Sequence, residues 1–129
     1  MGEGQPVRQP LRRMKTYTGA AGYVYQYYFV GQRAALAKAP EAPATEFIFD
    51  VSADRKATYA VSVFVPGAAL KGWCTRHGRN LTDAEQYAAA KMRLFQAFDE
   101  IENLPGSTRR FSMDTSSLES LLAPLGLDR

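Results

Sequence analysis

Residues 22–33 read GYVYQYYFVGQR, with five aromatic side chains among the first eight positions. At the two-residue period of a strand, Tyr23, Tyr25, Tyr27 and Phe29 share one face, and Val24, Gln26, Tyr28 and Val30 share the other. Two readings compete for the tyrosine row. It is either an exposed platform on which bases stack, or the inner face of a sheet whose rings pack under a helix while their hydroxyls reach the rim. Both faces are rather apolar, as in a strand covered at least partly on both sides. The packed reading is preferred, and it sets the fold: an amphipathic element must lie across these rings.

Upstream, Lys15-Thr16-Tyr17-Thr18 is a second strand-like run, and Gly19-Ala20-Ala21-Gly22 supplies the glycines for a hairpin reversal. Downstream, residues 33–45 (RAALAKAPEAPAT) carry Pro40 and Pro43 among alanines and read as a loop. A second hairpin follows. Residues 46–51 alternate Phe47, Phe49 and Val51 against Glu46, Ile48 and Asp50. Residues 52–56 (SADRK) form a polar turn, and residues 58–65 return with Tyr59, Val61, Val63 and Val65 on one side. Pro66-Gly67 closes the sheet.

The rest is helical. Residues 68–75 make a short helix with Leu70, Trp73 and Cys74 on one stripe and Gly78 at its end. Thr82 followed by Glu85 is a capping box, in which the hydroxyl takes one orphan amide and the carboxylate returns to another. The helix it opens extends to about residue 103. It carries Tyr87, Leu94, Phe95, Phe98 and Ile101 on one face and Arg93, Gln96 and Glu100 on the other. Burying those five large side chains contributes about 7–15 kcal/mol before chain entropy is counted.

Leu104-Pro105-Gly106 stops the helix, and Ser116 with Glu119 gives a second capping-box match ahead of Leu121, Leu122 and Leu125. The expected fold is therefore α+β. An antiparallel sheet of three to four strands, built from two hairpins, packs against one long C-terminal amphipathic helix with a short helix before it. Residues 1–13 form a flexible basic arm, residues 14–104 a single domain, and residues 105–129 a tail with a short helix.

Composition narrows the function classes. The chain has 129 residues, 46% hydrophobic and 22% charged, which suits one globular domain rather than a disordered chain. Its single cysteine, Cys74, excludes an internal disulfide framework and fits a reducing compartment. Residues 1–15 lack the apolar core of a secretory signal, and no apolar run reaches the ~18 residues of a membrane span, so a cytoplasmic protein is expected. The net charge of +3 is uneven: residues 1–38 hold six basic side chains against Glu3 alone.

Three constellations carry chemistry. Arg12, Arg13, Lys15 and Arg33 beside Tyr23, Tyr25 and Tyr27 have the residue types of a single-stranded nucleic-acid contact. Their order does not reproduce the aromatic strand of the RNA-recognition motif, because Ala21 stands where a basic residue belongs and Val24 and Gln26 also depart. Cys74 and His77, three residues apart, are the types of a nucleophile pair or half a metal site, but no further cysteine or histidine completes it. Lys91 interrupts the apolar stripe of the long helix, where a lysine lays its stem on aromatics.

Leu118, Leu121, Leu122 and Leu125 form a stripe that needs burial, on the chain's own domain or on a partner. No catalytic, cofactor or metal motif is present. The expectation is a non-enzymatic protein-interaction or self-associating module, covered by a second copy or a protein partner. Nucleic-acid binding through the basic arm and tyrosine strand is the alternative. A third reading, an enzyme with a pocket near Cys74 and His77, lacks the spacing to build that pocket.

Overall fold

The computed structural model describes residues 14–37 and 42–126. Five strands, β1 (Lys15–Thr18), β2 (Val24–Ala37), β3 (Ala42–Ser52), β4 (Tyr59–Pro66) and β5 (Arg110–Phe111), lie side by side in chain order. The first four form an antiparallel meander, and β5 joins β4 in parallel. Three α-helices, α1 (Gly67–His77), α2 (Asp83–Glu100) and α3 (Thr115–Leu122), complete the described residues. No helix among them is long and apolar enough to cross a membrane.

The expected architecture is corrected on two counts. The sheet is mixed and five-stranded, not antiparallel with three to four strands, and the long helix is not C-terminal. Helix α2 is 18 residues long, and the chain after it returns to the sheet as β5 and then packs α3. A two-residue strand has no periodicity to read, so nothing in the order Arg110-Phe111 announces β5. Leu104, Met113, Leu118, Leu121 and Leu122 belong to the same buried cluster as Phe47, Phe49, Trp73 and Leu94, so the described residues share one core.

Residues 33–37 and 42–45 also differ from the loop expected over 33–45, the rest of which lies outside the described residues. Strands β2 and β3 stay paired through Ala34↔Thr45, Ala35↔Ala44 and Leu36↔Pro43. Pairing to a neighbour overrides the weak strand preference of alanine. Pro43 lies beyond the last β3–β4 pair, Ala44↔Pro66, where β3 is an edge on that side and a missing N–H is tolerated.

The tyrosine row is packed. Tyr25 lies flat on Phe98, ring centroids 4.3 Å apart, and Tyr17 stacks likewise on Phe95 at 4.3 Å. Tyr27 meets Phe95 edge-on, and Phe29 meets Tyr87 the same way. Tyr25 and Tyr27 are 5% and 4% exposed, so their rings belong to the dry layer between sheet and α2. The β1–β2 turn is pinned to the end of α2, because Tyr17 Oη and the Ala20 amide both donate to Asp99.

Helix boundaries follow local chemistry. In α2 the Thr82 hydroxyl accepts from the Glu85 amide while Glu85 accepts from the Thr82 amide. Helix α1 ends at Gly78, whose φ of 72° is the left-handed conformation glycine adopts without a Cβ clash. Helix α3 begins two residues earlier than the Ser116–Glu119 box suggests: Asp114 is the N-cap, accepting from the Ser117 amide. Arg93, expected on the solvent side of α2, is half-buried, with its Nε donating to the Ser112 carbonyl and its guanidinium over Phe111. The returning C-terminal chain makes that side an inner one.

Candidate interaction surface

Helices α1 and α2 pack on one face of the sheet, where Tyr25, Tyr27, Phe47, Phe49, Val51, Val61, Val63 and Val65 join the core, and α3 packs against both helices. The other face carries no helix among the described residues. Alternation places Val24, Gln26, Tyr28, Arg33, Glu46, Ile48, Asp50, Ala60, Ser62, Phe64 and Arg110 there.

One irregularity decides what this face contains. The β2–β3 register shifts between Phe29 and Gly31, so Val30 is an extra residue and the alternation of β2 inverts beyond it. Arg33, which unbroken alternation would set beside Tyr27 and Phe29, is turned to the open side and faces Glu46.

A charged row then crosses four strands. Arg33 Nε on β2 donates to Glu46 Oε1 on β3 at 2.9 Å, and Ser62 Oγ on β4 donates to Glu46 Oε2 at 2.6 Å. Arg110 on β5 lays its guanidinium over the Phe64 ring, 4.6 Å from the centroid. Glu46 itself is 5% exposed. Burial pushes its carboxyl up, but the hydrogen bonds from Arg33 and Ser62 and the charges of Arg33 and Arg110 outweigh burial and hold it below the ordinary range. It is an ionised carboxylate at neutral pH. Among the described residues only Nε of Arg33 is engaged, and its side chain is 67% exposed. Arg110 closes no ion pair among the described residues.

The residues singled out in the sequence are dispersed. Arg12 and Arg13 lie outside the described residues. Lys15 is exposed on β1, and Tyr23 is 67% exposed in the β1–β2 turn. Tyr25 and Tyr27 are inside, and Arg33 is on the opposite face, so the structure does not bring this set together. Leu118, Leu121 and Leu122 are buried in the chain's own core, and Leu125 is exposed. They leave no leucine stripe on the surface.

Cys74 and His77 do not converge either. Cys74 lines a groove of about 440 Å³ between α1 and the start of α2, with Leu70, Lys71, Thr75, Asn80, Leu81 and Gln86. His77 is not part of that lining. It stacks on Trp73 at 4.0 Å and its Nε2 bonds Glu119 of α3 at 2.8 Å, beside Arg76 at 3.3 Å. This is a tie between α1 and α3. Lys91 sits over the Tyr87 ring at 5.7 Å, and burial, with the charge of Lys15, lowers its pKa. Among the described residues no group of three or more histidines, cysteines and carboxylates is placed to hold a metal ion.

Sequence reasoning missed Ser62 and Arg110 as members of the row, and placed Arg33 with the wrong neighbours. The signal for the first is thin: Ser62 is the one hydroxyl in residues 59–66 set between valines. Compared with protein-family models, with curated proteins and with solved structures, the chain finds no match.

Proposed function

We propose that this chain is a non-enzymatic protein-interaction module that works through the helix-free face of its sheet. The observation that carries the reading is the Arg33–Glu46–Ser62 clamp. A carboxylate is buried on a face that has no helix over it among the described residues, and a guanidinium is fixed there through Nε while its side chain is 67% exposed. Fixing a long side chain costs rotamer entropy, and a pre-positioned guanidinium recovers that cost when a partner binds. The apolar floor around it, Val24, Val30, Ile48 and Phe64, supplies area to bury.

The α1–α2 groove does not favour an enzyme, because its lining sets Cys74, Thr75 and Lys71 together with no histidine or carboxylate to activate them. A second copy of the same face is a poor occupant. Among the described residues each copy brings two guanidiniums with open donors, while Glu46 is already engaged and only Asp50 remains as an acid on the face.

The test is site-specific photocrosslinking in the native cell, with p-benzoylphenylalanine at Ala60 on the open face and, separately, at Gln96 on exposed α2. Discrete protein adducts form at Ala60, are absent at Gln96, and vanish on Arg110→Glu. No adduct at Ala60, or the same adducts at both positions, contradicts the reading.

A further inference from the structure

We infer that the groove between α1 and α2 is a small-molecule site, and that its ligand is a monocarboxylate carried on a short apolar body. The groove shares no residue with the helix-free face of the sheet, and its occupancy is independent of what that face binds.

Chain geometry makes the groove. Helix α1 ends at Gly78 and α2 opens after its N-cap Thr82, so residues 78–82 join the two helices at a short corner. Leu70 and Cys74, four apart on α1, share one stripe, and Lys71 and Thr75 share the next. Asn80 and Leu81 in the corner and Gln86 on α2 complete the lining. The volume of about 440 Å³ falls within the ~300–1,000 Å³ of small-molecule sites.

Burial divides the lining by chemistry. Leu81 is buried and Leu70 and Cys74 are half-buried, so the floor is apolar. Lys71, Thr75 and Asn80 are exposed and form a polar rim. Among the described residues their side chains have no hydrogen-bond or ion-pair partner, whereas Gln86 Nε2 donates to the Leu81 carbonyl. A ligand that satisfies both layers has an apolar body for the floor and a polar head for the rim.

Charge selects the head. Lys71 is the one charged residue of the lining, and no acid accompanies it. Arg79 and Glu85 flank the corner, but they pair with each other at 3.0 Å. Asp83, exposed in the first turn of α2, is outside the lining. One ammonium matches one negative charge, with the Thr75 hydroxyl and the Asn80 amide as neutral donors beside it. A phosphate monoester, at about −1.5 to −2 charges, would leave charge uncompensated here. A carboxylate would not.

Cys74 is the only cysteine of the chain, so its alkylation reports occupancy of the groove at one known atom. The rate of its reaction with iodoacetamide, read by intact-protein mass spectrometry, is followed against rising octanoate, octanol and octyl phosphate. Circular dichroism verifies that the protein stays folded at each concentration used. Octanoate is expected to slow the reaction saturably, and octanol and octyl phosphate each to need about fivefold more for the same protection. Lys71→Gln raises the octanoate concentration for half-protection by about fivefold, the size of a solvent-open ion pair. Lys56→Gln, in the turn between β3 and β4, leaves it unchanged.

Three results overturn the assignment. Octanoate gives no saturable protection; octanol or octyl phosphate protects at the same or lower concentration; or Lys71→Gln leaves half-protection where it was.

Discussion

Arg33 and Glu46 face each other across β2 and β3 because Val30 is inserted into the ladder between Phe29 and Gly31. One extra residue inverts every side chain that follows it on a strand, since the side-chain period is two. The insertion takes a guanidinium away from the aromatic core and gives it a carboxylate partner at 2.9 Å. It separates the two faces of the sheet by chemistry: rings and valines under the helices, a charged row on the other side.

Arg33→Met removes the largest of the three groups, with Ser62 and Arg110, that hold Glu46 ionised. A buried carboxylate left with the Ser62 hydroxyl and the more distant Arg110 charge costs about 1–3 kcal/mol, read as a lower urea midpoint at neutral pH. The Glu46 carboxyl rises without its partner, so the deficit shrinks as pH falls and Glu46 takes a proton. A deficit that is constant with pH would show that Arg33 contributes only through packing.

The helix start at Thr82 is a local prediction. Thr82→Ala removes the hydroxyl that accepts from the Glu85 amide and lowers stability by about 1 kcal/mol. Arg79 shares the same carboxylate, with Nη1 and Nη2 at 3.0 and 3.1 Å, so Thr82→Ala and Arg79→Ala together depart from additivity in a double-mutant cycle. Strict additivity would mean that the cap and the ion pair act independently.

Leu118 and Leu125 separate the core from the surface within one leucine stripe. Leu118→Ala empties a fully buried position and costs about 2–5 kcal/mol, whereas Leu125→Ala stays within about 0.5 kcal/mol. Equal, small effects on thermal unfolding would place α3 off the core.

Stability against pH has a defined shape. Among the described residues four carboxyls are held low when folded: Glu85 at about 2 through Arg79 and the Thr82 amide, Asp54 by the amides of Lys56 and Ala57, Asp114 by the Ser117 amide, and Glu46 as above. Because the unfolded chain takes protons first, stability is full above pH ~4 and falls as the pH drops toward ~2. On the alkaline side burial raises Tyr59 to about 12, with Tyr25, Tyr27 and Tyr87 also raised. There the unfolded tyrosines ionise first, so stability falls as pH rises beyond ~10. Urea midpoints across this range check both limbs, and a flat acid limb would contradict the carboxylate contacts.

Much of the core was legible in the sequence because periodicity reports burial directly. Phe47, Phe49 and Val51, and Val61, Val63 and Val65, alternate cleanly and are buried as that alternation demands. The Thr82–Glu85 box announced its helix for the same local reason. The working face was not legible. A bulge carries no residue signature in Phe29-Val30-Gly31 beyond the glycine, and β5 is too short for a period, so neither Arg33 nor Arg110 could be assigned a face. Asp114 has Ser117 rather than Glu or Gln three residues on, so it lacks the capping-box pattern that Ser116 and Glu119 display.

The account depends most on which face of the sheet is dry, and tyrosine nitration followed by peptide mass spectrometry measures that directly. Tyr23 is predicted to react readily in the native protein, while Tyr25 and Tyr27 stay unmodified until urea unfolds the chain. Nitration of Tyr25 and Tyr27 at the rate of Tyr23 under native conditions would contradict it.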